Sequence, residues 1–226
     1  MKERPIIFNP EMVRALRRGR KTQTRRVVKE VAGESWRRAE YREHAGAPWR
    51  SGWWFIAGSS STGPVPCPYG QPGDRLYVRE ACWIWGRWSR NGSTKTGRQR
   101  WRFTADSSHR VCFNKPVLTA KREAFDGHIG RPEWVYRHAR FMPRWACRTL
   151  LEITNVRVER VQEISSADAK AEGVSLPASD CFKDINTGTK LRYEFEKLWD
   201  SINAARGFGW SANPYVWIIE FRKVGI

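Results

Sequence analysis

The stretch "RTLLEITNVRVERV" at residues 148–161 decides the fold of this chain. Alternating apolar residues predict a β-strand with one face towards a core. The phase of the alternation changes at Thr154-Asn155, which predicts a β-bulge or a tight turn at that point. A second strand is predicted at "YVWIIEFRKV" (215–224), which is apolar on both faces and therefore central in a sheet or part of a barrel. We expect the two strands to belong to one sheet.

Two helices are predicted between these strands. "SSADAKAEG" (165–173) has Ser165 as its N-cap, Asp168 three residues later and Gly173 as its stop. "LRYEFEKLWDSI" (191–202) carries one apolar stripe at helical spacing, made of Leu191, Phe195, Leu198, Trp199 and Ile202.

The first half of the chain adds one helix and two strands. A short amphipathic helix begins at Asn9-Pro10 and ends at Gly19. "GDRLYVRE" (73–80) and "WRFTAD" (101–106) alternate as strands, whereas residues 107–140 have weak periodicity and are interpreted as an insertion. The order of elements predicts an α+β fold, a small β-barrel with flanking helices, in one domain.

The charge of the chain is strongly positive and unevenly distributed. The net charge is +18 and the pI about 10.3. Residues 1–50 carry 14 Lys and Arg against 6 acids, and residues 86–122 carry 10 against 1. Two such segments indicate a face for phosphates, so RNA or single-stranded DNA is the expected partner. Solvated basic loops are the alternative interpretation.

The 13 tryptophans support the same interpretation. Several alternate with arginine, as in "WIWGRWSR" (83–90) and "RQRWRF" (98–103). Aromatic rings stack on unpaired bases while arginine holds the backbone. We expect most tryptophans to be packing residues and two or three to be exposed to bases.

The five cysteines are widely spaced, with no C-x-x-C pair and no matching histidine spacing. This pattern predicts no zinc site and is typical of reduced thiols in a cytoplasmic protein. We also expect no other metal site and no cofactor. No apolar run has the length of a membrane span, and we expect no membrane partner. Oligomeric state is left open.

An ordered set of motifs resembles the ASCH domain family of the PUA-like superfamily of small RNA-associated β-barrels. The set is "GRKTQTRR", "GDRLYVRE", "ISSADAKAEGV" and "VWIIEF". The resemblance covers residues 5–28, 70–80 and 142–224 of a single domain (1–226), and segments 29–69 and 81–141 are insertions. The longer form is similar to members carried by phages and prophages, which implies the cytoplasm of a bacterial host.

One branch of that family comprises amidohydrolases that remove the acetyl group from N-acetylcytidine. The resemblance implies a catalytic set of Lys21, Thr24 and Glu172, with Arg26 as the arginine of the first motif. We therefore expect a hydrolase that removes an acyl group from the exocyclic amine of a modified cytidine, as a nucleoside or in RNA or DNA. A non-catalytic reader of modified bases and a ribonuclease are the alternatives.

The segment "GRKTQTRR" (19–26) reads as a loop with two possible roles. Lys21 is flanked by Arg20, Arg25 and Arg26, whose charges should lower its pKa and let it activate the Thr24 hydroxyl. Alternatively, the lysine and arginines bind phosphate and the threonines only hydrogen-bond the backbone.

Further candidate residues come from the ends of helices and strands. Glu172 lies at the C-terminal end of its helix, where a carboxylate is unfavourable, and could protonate a leaving amine or be a surface residue. Arg79 and Glu80 could line a pocket or form a structural ion pair. Arg144 and Trp145 could lie beside a site or pack in the core.

Overall fold

The computed structural model describes residues 1–31, 36–43, 51–116, 130–176 and 187–225. Cys181, Lys121 and Arg122 lie outside these residues. The fold is mixed α+β and consists mostly of strands, as predicted. The described helices are α1 (Pro10–Arg17), α2 (Ser166–Ala171) and α3 (Thr187–Asn203). The strands are β1 (Glu3–Ile7), β2 (Gln23–Val27), β3 (Arg38–Arg42), β4 (Gly52–Ala57), β5 (Ser60–Ser61), β6 (Arg75–Arg79), β7 (Cys82–Ser93), β8 (Gln99–Ala105), β9 (Val111–Cys112), β10 (Pro132–Arg137), β11 (Leu150–Arg160) and β12 (Tyr215–Val224).

The largest sheet contains the two strands that the sequence predicts to lie side by side. Its order is β1-β6-β11-β12-β2, and β11 pairs antiparallel with β12. The register shifts between Ile153 and Asn155, which confirms the predicted bulge. The five residues Tyr215, Val216, Trp217, Ile218 and Ile219 are all buried, so β12 is central.

The sheets of the described chain are open, and the closed β-barrel predicted from the sequence is therefore wrong as a description of them. A barrel closes only when its two edge strands pair. In this sheet β1 and β2 are the edges, and each has one neighbour. Pairing between edge strands is a long-range contact that the alternation of a single strand does not encode.

α1 and α2 follow their predicted boundaries closely, whereas α3 begins at Thr187, four residues before its predicted start at Leu191. Ser165 and Asp168 form a reciprocal capping box at the start of α2, and Gly173 follows its end with φ 90°. α3 packs Phe195 and Trp199 into a core with Val216 and Ile218 of β12. Burying each such aromatic side chain contributes roughly 2–3 kcal/mol to stability. Ile202 was predicted on this stripe but is 46 % exposed, since the buried position beside it is Asn203.

Two segments differ from their sequence-based interpretation. The segment "GRKTQTRR" is predicted as a loop, but its second half, residues 23–26, lies in β2, an edge strand that pairs with β12. Its buried side chains are polar, so apolar alternation gave no sign of a strand. Within residues 107–140, interpreted from the sequence as an insertion with weak periodicity, β9 and β10 pair with β7.

The chain divides into two compact units. Unit 1 comprises Met1–Arg4, Glu11–Leu76 and Thr149–Ile226, and unit 2 comprises Pro5–Pro10 and Tyr77–Arg148. Unit 1 contains the three helices and the three-stranded sheet β3-β4-β5. Unit 2 contains the sheet β10-β7-β8, with β9 also paired to β7. No helix of the described chain combines the length and apolar character needed to cross a membrane.

Candidate functional site: a buried Lys21–Glu172 pair

The end of α1 directs Lys21 inwards. Gly19 has φ 71°, a left-handed conformation that glycine adopts without steric cost. The next two amides, of Arg20 and Lys21, both donate to the Ala15 carbonyl, at 2.9 and 3.3 Å. The chain therefore turns back on α1, and Lys21 is buried with 4 % of its surface exposed.

The end of α2 meets this turn. The Thr22 amide donates to the Ala171 carbonyl at 2.9 Å, so the turn satisfies a carbonyl that the helix leaves free. Glu172 is the C-cap residue, and Gly173 follows it. A Cβ atom at Gly173 would lie 3.1 Å from the Cβ atoms of both Ala15 and Lys21, so this close approach requires glycine.

Lys21 and Glu172 form a buried ion pair between residues 151 positions apart. Nζ of Lys21 donates to Glu172 Oε2 at 2.8 Å and to the Glu172 carbonyl at 2.8 Å. The two side chains are 2 % and 5 % exposed. Burial lowers the pKa of Lys21, the Glu172 carboxylate opposes that change, and Arg26 and Arg25 lower the pKa further. Burial is thus the main cause of the shift, and the arginine neighbours that the sequence suggested contribute less.

Arg25 binds the other side of the same carboxylate. Its Nη1 lies 3.3 Å from Glu172 Oε1, and its Nη2 lies 3.3 Å from Asp168 and 3.6 Å from Glu159. The guanidinium is 1 % exposed and packs 5.8 Å from the centre of the Phe195 ring. A phosphate would have to displace these carboxylates to reach Arg25.

The ion-pair network extends outward through residues that sequence reasoning missed. Arg157 donates to Glu159 at 2.7 Å and to Asp168 at 3.0 Å, and it also pairs with Glu220. Partial burial alone would raise the pKa of Asp168, but hydrogen bonds from Ser165 and the charge of Arg25 lower it to about 2. The capping-box pattern already accounted for Asp168, so the sequence carried no sign of its second role.

Thr24 and Arg26 belong to the other face of β2. Strand alternation directs them away from Arg25, and Thr24 pairs across the ladder with Ile219. Thr24 is buried, with 4 % of its surface exposed. Burial is the main effect on the pKa of Arg26 and lowers it. The charges of Tyr69 and Glu172 raise this pKa, and the charge of Arg206 lowers it. Glu172 therefore acts electrostatically on both faces of the strand.

Arg20 is the exposed cation of this segment. It lines an open depression of about 470 Å³ together with Gly173 and Val174. In the sequence, Arg20 directly precedes Lys21 and Gly173 directly follows Glu172. Charged side chains from α1 and α3 complete the rim, namely Glu11, Arg14, Glu194 and Lys197.

The four remaining candidate residues lie in unit 2. Glu80 is buried and forms a bidentate pair with Arg148, at 3.0 and 2.5 Å, the structural arrangement that was one of its two interpretations. The guanidinium groups of Arg79 and Arg144 lie 5.7 and 5.2 Å from the Tyr77 ring. Trp145 is 39 % exposed, and its ring lies 4.6 Å from that of His109.

Within the described ranges, no group of three or more His, Cys, Asp or Glu side chains is arranged to hold a metal ion. The four described cysteines form no disulfide bond with one another. Comparison of the chain with protein-family models, with curated proteins and with solved structures found no match in any of the three. The resemblance to the ASCH family therefore depends on the motifs alone and stays a prediction.

Proposed function

We propose that the protein removes an acyl group from the exocyclic amine of a modified cytidine, with Lys21, Thr24 and Glu172 as the catalytic residues. The observation that carries the proposal is the buried contact of 2.8 Å between Lys21 Nζ and Glu172 Oε2. A buried lysine whose pKa is lowered and which contacts a carboxylate is typical of sites that transfer protons.

The reaction would proceed through an acyl-enzyme. Neutral Lys21 accepts the proton of the Thr24 hydroxyl as its oxygen attacks the acyl carbonyl. The proton passes along the short contact to Glu172, which delivers it to the departing cytosine amine. Water then hydrolyses the threonine ester and restores the hydroxyl. Arg26, on the same face of β2 as Thr24, would stabilise the oxyanion, a contribution of about 3–4 kcal/mol per donor.

Arg25 would act as a positioning residue in this proposal. Its guanidinium holds Glu172 from the side opposite Lys21 and is itself held by Asp168 and Glu159. A carboxylate bound by two cations keeps one orientation, which is what directed proton transfer requires. Arg20, exposed on the rim of the neighbouring depression, remains available for substrate phosphate.

We also propose that the strands and helices of unit 1 are the ASCH, or PUA-like, part of the chain in an open form. The support is the order of elements: α1 leads into the "GRKTQTRR" motif, β11 leads into α2, and the chain ends on the central strand β12.

One observation favours a second candidate, a non-catalytic reader of modified bases. Lys21, Thr24 and Glu172 are each 4 % exposed, so a cytidine must displace covering side chains to reach the Thr24 hydroxyl. In a reader, the buried pair would only stabilise the turn between α1 and β2, and recognition would use exposed groups such as Arg20.

Thr24→Val separates the two candidates because it removes the hydroxyl and keeps the volume of the side chain. The protein is incubated with N-acetylcytidine, with other acylated cytidines and with unmodified RNA, and products are followed by chromatography. We expect Thr24→Val to abolish deacylation and the matched variant Thr24→Ser to retain it, with near-native binding in both. Unchanged deacylation by Thr24→Val would refute Thr24 as the nucleophile. If the wild-type protein deacylates none of the substrates, the non-catalytic reader is favoured. Cleavage of the unmodified RNA would indicate a ribonuclease.

A further inference from the structure

The sheet of unit 2 has two different faces. On β7 the side chains of Cys82 and Ile84 enter a core with Met142, Ala146 and Cys147. Trp83 and Trp85 alternate with them and therefore belong to the opposite face. Both are half-buried, so this face is incompletely covered.

Four aromatic side chains form a ladder across that opposite face. Trp83 pairs with Tyr136 of β10, and Trp85 pairs with Trp134. The ring centres of these pairs are 5.4 and 5.3 Å apart, with interplanar angles of 60° and 63°. Tyr136 is 44 % exposed, and the other three rings are half-buried. We call these four residues the aromatic ladder.

Cations surround the aromatic ladder. The Arg110 guanidinium lies 4.5 Å from the Trp85 ring. Arg87, two residues beyond Trp85, and Arg102, opposite Ser89, are exposed and share the ladder's face by alternation. Residues 86–122 carry 10 basic residues against one acid, Asp106. The Asp106 carboxylate accepts a hydrogen bond from Ser108.

We propose that the aromatic ladder is a binding platform for single-stranded nucleic acid. Unpaired bases stack on the ladder rings, and Arg87, Arg102 and Arg110 bind the phosphates on either side. A duplex offers its phosphates but keeps its bases stacked inside, so this surface selects single strands. The platform lies in unit 2 and does not depend on deacylation by the residues of unit 1.

The charge of the surface argues for nucleic acid over a protein partner. An apolar protein surface would cover the rings but would also bury the exposed arginine charges beside them, which is costly. A polyanion with aromatic bases satisfies both kinds of group at once. Base stacking on aromatic side chains also tolerates any sequence, which predicts little preference among bases.

The test uses the full chain with fluorescein-labelled rU12, dT12 and a 12-base-pair DNA duplex, in fluorescence polarisation at low salt. The double variant Trp85→Leu/Trp134→Leu should weaken binding of the single strands at least about tenfold and leave duplex binding within about twofold. Tyr193→Leu is the control, because Tyr193 is an exposed aromatic beside a cation, Lys197, on α3 of unit 1. Wild-type affinity of the double variant for rU12 and dT12 overturns the proposal.

If the leucine variant loses its near-UV circular dichroism, and so its native packing, the wild-type protein is tested instead. Photo-crosslinking of wild-type protein to rU12 or dT12, read by mass spectrometry, should give adducts on β7 or β10. The double variant Arg87→Gln/Arg102→Gln changes two exposed positions. It should reduce the slope of log affinity against log salt concentration by about 0.7 for each lost phosphate contact. Crosslinks confined to unit 1 would overturn the proposal. So would sedimentation data showing that the wild-type chain forms a dimer and that substitution of the aromatic ladder abolishes it.

Discussion

At the residue scale, the Lys21–Glu172 pair is a strong buried interaction whose partners depend on each other. Removing one partner leaves the other charged and desolvated, which typically costs about 3–5 kcal/mol. Removing both leaves Arg25 with Asp168 and Glu159, so the second loss should cost less than the first. Substitutions of this pair therefore change the stability of the protein as well as any chemistry at the site.

We expect Lys21→Met to lower the free energy of unfolding by about 3 kcal/mol or more, and Glu172→Gln to lower it by a smaller amount. In the double variant Lys21→Met/Glu172→Gln the losses should be clearly less than additive. Urea unfolding followed by circular dichroism measures all three. The exposed pair Lys197–Glu194, 2.9 Å long, is the control and should show a coupling below about 1 kcal/mol. Additive losses at Lys21 and Glu172 would contradict this view of the pair.

The pH dependence of deacylation should reveal the state of Lys21. Only neutral Lys21 accepts a proton, and burial lowers its pKa, so the rate should rise with pH and level off below the ordinary pKa of lysine. Arg26→Gln removes a charge that lowers this pKa, so the rise should move to higher pH. The profile of kcat/KM against pH measures both effects. A profile that is flat through this range would exclude Lys21 as the base.

At the element scale, the site is a junction between the end of α1, the start of β2 and the end of α2. Two backbone hydrogen bonds hold the junction: the Lys21 amide donates to the Ala15 carbonyl, and the Thr22 amide donates to the Ala171 carbonyl. The Lys21 ammonium also binds the Glu172 carbonyl, so a cation lies at the negative end of α2. This contact explains how the helix tolerates a glutamate at a position that its dipole disfavours.

Gly173→Ala should disrupt the junction. The new Cβ would lie 3.1 Å from the Lys21 Cβ at a φ of 90°, so we expect strain of about 1–3 kcal/mol plus displacement of Lys21. Gly207→Ala is the matched control, because Gly207 has φ 80° and a Cβ atom added there would have no neighbour within 4 Å. Thermal unfolding and deacylation are measured for both. Equal losses in the two variants would show that close packing at Gly173 contributes nothing.

At the scale of the whole molecule, the net charge of +18 comes almost entirely from two segments of the chain. Part of the first segment is neutralised inside unit 1, where Lys21 and Arg25 face carboxylates. Exposed cations such as Arg20, Arg87 and Arg102 remain for a polyanion. The charge that can bind phosphate is therefore smaller than the formal charge suggests.

Binding of a 20-nucleotide single strand should weaken steeply with salt. Each phosphate contact contributes about 0.7 to the slope of log affinity against log salt concentration. With about six contacts, affinity should fall roughly 300-fold between 50 and 200 mM salt. Fluorescence polarisation at a series of salt concentrations gives the slope. An uncharged methylphosphonate strand of the same sequence is the control and should show almost no slope. A charged strand that binds with equal affinity at both concentrations would rule out phosphate contacts as the main attraction.

Local patterns in the sequence determined the elements that depend on neighbours along the chain. The alternation of β11, the continuous apolar run of β12, the bulge near Thr154, the capping box of α2 and the glycine after it were all predictable. Apolar periodicity and capping are short-range properties, since each involves residues within about four positions of one another. The resemblance of the motifs also suggested Lys21 and Glu172 as members of one site.

The tertiary structure alone decided how these two residues meet and what surrounds them. β2 is an edge strand whose buried residues include Gln23, Thr24 and Arg25, and polar side chains leave no apolar alternation to detect. The burial of Arg25 depends on carboxylates far away along the chain, at Glu159, Asp168 and Glu172. The open edges of the sheet and the cross-strand aromatic ladder are likewise set by strand pairing. Such contacts form only when distant segments pack together, so no local stretch of sequence specifies them.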